Sequence, residues 1–558
     1  SFFIESSSSS PHVMELGIDV GGTNTDVVLL KRGTHTRDVS IVASVKAPTT
    51  KDVMSGVVNG VQELLATSAA AQGHLSSQIE NVFLGTTQFV NAVVERSDEL
   101  RRVAVLRLSG EATMSIPPFT SLPVDLRAKV EGPHFFISGG FDYKGADFYP
   151  LKLEEVDEAC AQIKADGVTD IAVVGMFSST RGDQEEAVAM RISEVYPDAR
   201  VTLSKNVGQQ NFLLREHSAI LNASMRSLAK RVVRGFVEAF SNKLNLSTAR
   251  VFLTQNDGTL LPLAEALTYP IRTIGCGPTN SMRGAYLLCI SDKVDLGDDD
   301  VFVCDIGGTT SDIGVISTDG VPRLANLQTV VGGVPLNARF PDTTSIGLGG
   351  GTKIDIAAGT VGPVSVGYRL KEKALVFGGD VLTATDVAVA AGHLKIDGAD
   401  AEKVKDTAST EQINALLSKF ITMIATTVAK LKTKPGNVKL VLCGGGAALI
   451  PPDAVIDGVS RVLRPSFANV ANAVGAAMAQ AGSSVDLTVD LSNTTRDAAL
   501  AEQEDILRKK CVENGALAST VKIVSIHDQE LQYLSYPGRR IFGRAVGDID
   551  FTTIAAVA

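Results

Sequence analysis

Tryptophan is absent from the 558 residues, tyrosine occurs only 8 times, and aromatics together make up 5%. Hydrophobic residues still reach 44%, so disorder throughout is excluded and the core must be aliphatic. The six cysteines (Cys160, Cys276, Cys289, Cys304, Cys443, Cys511) form no CxxC pair. That spacing speaks for reduced thiols and a cytoplasmic protein, not a disulfide framework. The 7 histidines show neither HxH nor HxxxH spacing, which gives a dedicated zinc site no support. No Gly-Lys dipeptide occurs, which excludes a Walker A loop. No apolar run approaches the ~20 residues of a membrane span. A net charge of −10 argues against a nucleic-acid or anionic-membrane surface. Residues 1–13 contain five consecutive serines and no methionine. Their apolar stretch is too short for a signal peptide, so they read as a disordered extension or an expression remnant ahead of Met14.

Glycine, by contrast, is plentiful at 51 residues. With Val, Ile and Ala it suggests an α/β chain with functional Gly-rich turns, and the length suggests roughly three or four domains. Leu16–Leu30 reads as strand, Gly-rich turn, strand. Helical spacing over Val53–Ala66, Leu153–Asp166 and Gln184–Val195 alternates with strands at Asn81–Leu84, Val103–Leu108, Ile171–Phe177 and Val201–Leu203. This alternation predicts parallel βαβ units. Residues 110–150, rich in Pro and Gly, read as irregular. A long helix is predicted over Leu213–Leu244, others over Ile413–Lys432 and Ala468–Ala481, and a small terminal unit after Ser484.

The most informative feature is an internal repeat. Asp19-Val20-Gly21-Gly22-Thr23-Asn24-Thr25-Asp26-Val27 recurs as Asp305-Ile306-Gly307-Gly308-Thr309-Thr310-Ser311-Asp312-Ile313, each copy lying between apolar runs. Each predicts a β-hairpin. Its glycines let an anion approach the backbone, and turn N–H groups and Thr/Ser hydroxyls donate to phosphate oxygens. The leading aspartates, Asp19 and Asp305, are candidate holders of Mg²⁺ (or Mn²⁺) through its waters. Two facing hairpins could grip one polyphosphate. A third element, Val441-Leu442-Cys443-Gly444-Gly445-Gly446, runs a strand into a glycine triplet against which a flat or anionic group can lie. Gly275-Cys276-Gly277-Pro278-Thr279-Asn280 resembles a dinucleotide fingerprint only weakly.

Hairpin, hairpin and glycine triplet in that order resemble the actin, sugar-kinase and Hsp70 ATPase superfamily. Within it, GIDVGGTNTD (17–26), Arg215-Glu216, Leu221-Asn222-Ala223, Gln255-Asn256-Asp257-Gly258, Cys304–Asp312, Ile346–Gly351 and Thr385-Asp386 are similar to the hydantoinase A/5-oxoprolinase family. The resemblance runs over nearly all of residues 14–480. The Pro-Gly-Pro-Ala-Cys-Tyr stretch usual in that family is replaced after Pro363, which suggests a divergent branch.

The resemblance implies an α/β fold of duplicated actin-like (ribonuclease H-like) ATPase domains around a nucleotide cleft, with an inserted α/β subdomain and a small C-terminal α+β unit. The expected divisions are 14–205, 206–480 and 481–558. It implies ATP with its phosphates on Gly21, Gly22, Thr23, Asn24, Thr25, Gly307, Gly308, Thr309, Thr310 and Ser311, and its adenosine on Gly444, Gly445 and Gly446. Asp19, Asp305, Asp312 and Glu216 are the candidate catalytic residues. Asp26 and Asp312 could equally be structural, and Glu216 could equally form a helix-face ion pair. The implied activity is ATP-dependent opening of a cyclic amide such as a hydantoin or 5-oxoproline, by the chain itself or with a separate B-type subunit. A small-molecule kinase, an ATP-dependent carboxylase subunit and a nucleotide-gated partner-binding ATPase are the alternatives. Family members commonly assemble, so a homodimer is a further expectation.

Overall fold

The computed structural model describes residues 13–22, 24–32, 39–49, 52–69, 78–208, 210–318, 320–325, 328–337, 340–532 and 536–551. Thr23 and nearly all of the amino-terminal extension lie outside these. Val13–Val20 (β1), Asn24–Arg32 (β2) and Val39–Pro48 (β3) form an antiparallel meander. Ile79–Thr86 (β4) joins β1 in parallel, and Arg250–Thr254 (β5) joins β4 in parallel. Leu260–Pro262 (β6) closes that edge. The first sheet therefore draws strands from both sides of residue 205.

The second sheet repeats the pairing. Val301–Ile306 (β7), Ser311–Ile316 (β8) and Thr343–Ile346 (β9) form the antiparallel meander. Val438–Cys443 (β10) and Val459–Leu463 (β11) add in parallel on the far side of β7. The spatial orders β3-β2-β1-β4-β5 and β9-β8-β7-β10-β11 correspond strand for strand. Central strands such as β1 and β7 read as continuous apolar runs because both faces of each sheet are covered.

Four helices position the site: Phe212–Glu238 (α1), Cys276–Ser291 (α2), Thr410–Leu431 (α3) and Ala471–Ala477 (α4). Helices α2 and α4 lie between the two sheets. One apolar core joins Val28 and Phe252 of the first sheet to Val303 and Val441 of the second through Met282, Ala473 and Ala477. The two helices cross in backbone contact, since a Cβ added to Gly284 would stand 1.8 Å from the Ala471 carbonyl oxygen. A Cβ on Gly475 would stand equally close, 1.8 Å, to that of Asn280.

Helix α3 is long and apolar enough by length and composition to cross a membrane, although no unbroken apolar run was expected. Its Thr and Ser residues interrupt the run without lowering the average much. Ile413, Leu416, Phe420, Ile424 and Val428 bury its apolar face in the core of the second sheet, while Glu411, Lys419 and Lys430 are exposed.

Between β4 and β5 stands an all-parallel sheet in the order Glu131–Ile137, Val103–Leu108, Asp170–Gly175, Arg200–Leu203, flanked by helices Leu153–Ala165 and Asp183–Val195. Strand Glu131–Ile137 lies in a stretch expected to be irregular. It is an edge strand, where Pro133 is tolerated. After α4, the antiparallel strands Ala481–Asp490, Gly538–Gly547 and Lys522–Leu531 carry helix Arg496–Glu513. The helix expected to reach Ala481 thus stops at Ala477, and a strand begins. All six cysteines are free and buried.

Candidate active site

Both copies of the repeat fold as hairpins closed by the same backbone bond. The Gly21 N–H donates to the Asn24 carbonyl at 3.0 Å, and the Gly307 N–H to the Thr310 carbonyl at 2.9 Å. In each hairpin the leading and trailing aspartates are direct cross-strand partners, Asp19 with Asp26 and Asp305 with Asp312. Opposed residues share a sheet face, so each carboxylate pair projects together. The row continues one strand further, to Lys46 beside Asp26 and to Ser345 beside Asp312. The Lys46 ammonium is ion-paired with Asp26, and the Ser345 hydroxyl donates to Asp312.

Helix α2 connects the two rows. Asn280 donates through Nδ2 to Asp19 at 3.5 Å and to the Thr254 hydroxyl at 3.0 Å. The next residue, Ser281, whose hydroxyl donates to the Gly277 and Pro278 carbonyls, stands near enough to Asp305 to pull its carboxyl pKa down. Asn472, on α4, donates to the other Asp19 oxygen at 3.3 Å. Burial, with Asp26 adding repulsion, pushes the Asp19 carboxyl up to about 6, against the pull of Asn472, Asn280 and Lys46. Burial and Asp312 push Asp305 up to about 7, and Asp19 itself adds to that rise. The two leading aspartates therefore lie within electrostatic reach of each other, with Lys46 acting on both.

The glycines are required by close approach. A Cβ on Gly85 would fall 2.2 Å from Asp19 Oδ1, and one on Gly444, at φ +83°, 2.2 Å from Asp305 Oδ1. The Gly446 N–H donates to the Ile306 carbonyl at 2.7 Å, fastening the triplet to the second hairpin. Gly347–Gly351 packs on the other side of that turn, with Gly350 and Gly351 donating to the Gly307 and Gly308 carbonyls at 3.0 and 2.7 Å. The Ser311 hydroxyl donates to the Leu348 carbonyl at 2.5 Å, so it is occupied within the turn. Gly22 has open space where a Cβ would be.

Among the described residues no group of three or more His, Cys, Asp or Glu side chains could chelate a metal by itself. Two buried carboxylates with raised pKa values do fit a Mg²⁺ ion that takes its remaining ligands from water and phosphate. One buried amide atom at the site, Asn280 Oδ1, has no partner among the described residues, a further sign that polar ligands belong here.

Glu216 stands elsewhere. Its carboxylate takes a bidentate pair from Arg107 at 2.8 and 2.9 Å, both side chains fully buried under the inserted sheet. Gly275-Cys276-Gly277 follows a 3-10 turn (Pro270–Thr273), not a strand, and opens α2. Residues Asn256 and Asp257 of the Gln-Asn-Asp-Gly string instead line a polar cavity of about 420 Å³ with Lys205, Arg272, Asp486 and Lys510, which no hairpin residue borders. Sequence reasoning missed Lys46, Asn280, Ser281 and Asn472. Only Asn280 fell within a string singled out for another reason.

A family model described as the hydantoinase/oxoprolinase N-terminal region matches residues 15–196, and one described as hydantoinase/oxoprolinase matches residues 215–430. An ATP-dependent caprolactamase from Pseudomonas jessenii shares the fold with a TM-score of 0.73 at 18% identity, over 96% of this chain and 88% of that one. Acetone carboxylase in its nucleotide-free form does so with a TM-score of 0.66, also at 18% identity and with the same 96% and 88% coverage. Among curated proteins none matches this sequence. Two adjoining models of one family, the first running through most of the inserted sheet and each taking in one aspartate hairpin, place this chain in the hydantoinase/oxoprolinase family.

Proposed function

We propose that the chain is the ATP-using component of an enzyme that opens cyclic amides, activating the amide oxygen by phosphoryl transfer. The observation that carries this reading is the meeting of two equivalent aspartate hairpins on one helix, α2, beside a glycine triplet. The strand-for-strand correspondence of the two sheets supports the duplicated actin-like ATPase fold. The family match supports the cyclic amide as acceptor.

An unstrained lactam carbonyl is a poor electrophile. In the proposed step its oxygen bonds to the terminal phosphorus as the bridging P–O bond breaks and that electron pair leaves with ADP. The amide N–H proton passes to water, and a water molecule adds to the activated ring carbon. The C–N bond then breaks, the ring nitrogen leaving as the amine with a proton taken from solvent, and a second water hydrolyses the resulting acyl phosphate to the carboxylate and free phosphate. Such transfer depends on positioning and charge neutralisation more than on covalent help from the protein. The backbone N–H groups of such turns are suited to cradle phosphate oxygens. Asp19 and Asp305 would hold Mg²⁺ or Mn²⁺, which would neutralise phosphate charge there. Asn280 and Asn472 keep the Asp19 carboxylate oriented, with Ser281 beside Asp305.

The test is ADP release by the purified chain with Mg²⁺ and ATP across hydantoins, 5-oxoproline, lactams and sugars, with and without a B-type subunit. Stimulation by a cyclic amide but not by sugars is expected. No stimulation across the panel overturns the reading. The fold shared with acetone carboxylase supports a second reading, an ATP-dependent carboxylase subunit, for which a bicarbonate-dependent carboxylated product would be the outcome.

A further inference from the structure

The repeat is not symmetric at its third strand. Both sheets carry an aspartate pair in one cross-strand row, but the row ends in Lys46 on β3 and in Ser345 on β9. Of these two rows, only the first carries a cation. Lys46 is also placed to act outside its own half. Its side chain is 29% exposed, and a Cβ built on Gly445, in the triplet of the second sheet, would stand 3.6 Å from Lys46 Cε. The Thr49 hydroxyl, at the end of the same segment, donates to the Gly21 carbonyl at 2.9 Å and holds that segment against the first turn. An ammonium on a flexible stem, between two Gly-rich turns and a glycine triplet, is a group that can exchange a carboxylate for a phosphate.

We propose that Lys46 is a catalytic residue that leaves Asp26 to hold the terminal phosphate of a nucleoside triphosphate across the cleft, a role the equivalent Ser345 cannot take. This rests on the nucleotide reading given above. The ammonium supplies positive charge where negative charge gathers on the transferring group. Without nucleotide it neutralises Asp26, so the cleft does not hold a free buried carboxylate while empty. A diphosphate lacks the group Lys46 would hold, so Lys46 makes the site discriminate triphosphate from diphosphate.

The experiment is equilibrium binding of ADP and of a non-hydrolysable ATP analogue, each with Mg²⁺, to wild type, Lys46→Met, Lys46→Arg and the double variant Lys46→Met/Asp26→Asn. The double variant removes the buried carboxylate that the single change would strand, so it reports on phosphate binding even if Lys46→Met folds poorly. Lys46→Met and the double variant are expected to keep ADP affinity within about threefold and to lose tenfold or more in analogue affinity. Lys46→Arg should recover part of that loss. Turnover should fall by about 10²–10³, the cost typical of removing one group that stabilises transition-state charge, and the fall should be in kcat. Unchanged preference for the triphosphate, or equal loss for both nucleotides, overturns the role of Lys46. A wild-type chain that binds neither nucleotide overturns the nucleotide reading as well.

Discussion

Asp305 is a candidate site residue whose chemistry the fold alters strongly. Burial and Asp312 raise its carboxyl from the usual 3.8 to about 7, and Asp19 rises to about 6. An acid whose folded pKa exceeds its unfolded value binds its proton more tightly in the native state. Its contribution to stability is fully present below the unfolded value and is lost as pH rises through the folded one. Without ligand, the protein should therefore lose stability between about pH 4 and pH 7 through these two groups. Asp305→Asn removes the ionisation and keeps the shape. At about pH 8 this variant should be more stable than wild type by a few kcal/mol, on the order of 1.4 kcal/mol for each pH unit of displacement. The advantage should vanish near pH 4, and urea unfolding midpoints at the two pH values measure it. Added Mg²⁺ should stabilise wild type more than the variant at the higher pH. A variant no more stable than wild type there would show that Asp305 ionises without penalty.

At the scale of elements, the crossing of α2 and α4 sets the geometry of both hairpins, because Asn280 and Ser281 sit one turn from the contact at Gly284. In Gly475→Ala the new Cβ would meet the Asn280 carbonyl oxygen at 1.8 Å, and a backbone atom cannot turn aside. The helices must separate, carrying Asn280 from Asp19 and Ser281 from Asp305. The expected loss is about 1–3 kcal/mol or more in denaturant unfolding, together with weaker Mg²⁺–nucleotide binding. Gly277→Ala is the control, since a Cβ there meets nothing within 4 Å and alanine is the better helix former. The hairpins were legible in the sequence because a nine-residue string occurs twice and carries its own turn chemistry. Lys46 was not, because its role depends on the pairing of β2 with β3, whose register shifts between Leu29 and Leu30. Counting along the chain cannot place Lys46 opposite Asp26 without that shift. Strand Ala481–Asp490 did carry a signal, the alternation of Val485, Leu487 and Val489, masked by the small-residue run before it. Glu216 matched a family string, yet its environment is a closed ion pair that only the folding of Val103–Leu108 against α1 creates.

For the whole molecule, what matters is that neither sheet alone carries all the candidate site residues. The first supplies Asp19 and Lys46, the second Asp305 and the glycine triplet, and α2 and α4 join them in one apolar core. A ligand that bridges the two hairpins must therefore couple the stability of both halves and favour the arrangement in which they stand closest. With a non-hydrolysable ATP analogue and Mg²⁺ at about 100 times its Kd, mass action adds about 2.7 kcal/mol to the liganded state. In a chain of this size that corresponds to a rise in Tm on the order of a few degrees. The same ligand should reduce the radius of gyration in small-angle scattering, because closing the cleft excludes water from the phosphoryl group. Asp19→Asn/Asp305→Asn should abolish both responses while remaining folded, since it removes charge and keeps volume. A rise in Tm without compaction would mean that the nucleotide binds one half only. The two hairpins would then be separate sites, and the joint grip on one phosphate chain would be wrong.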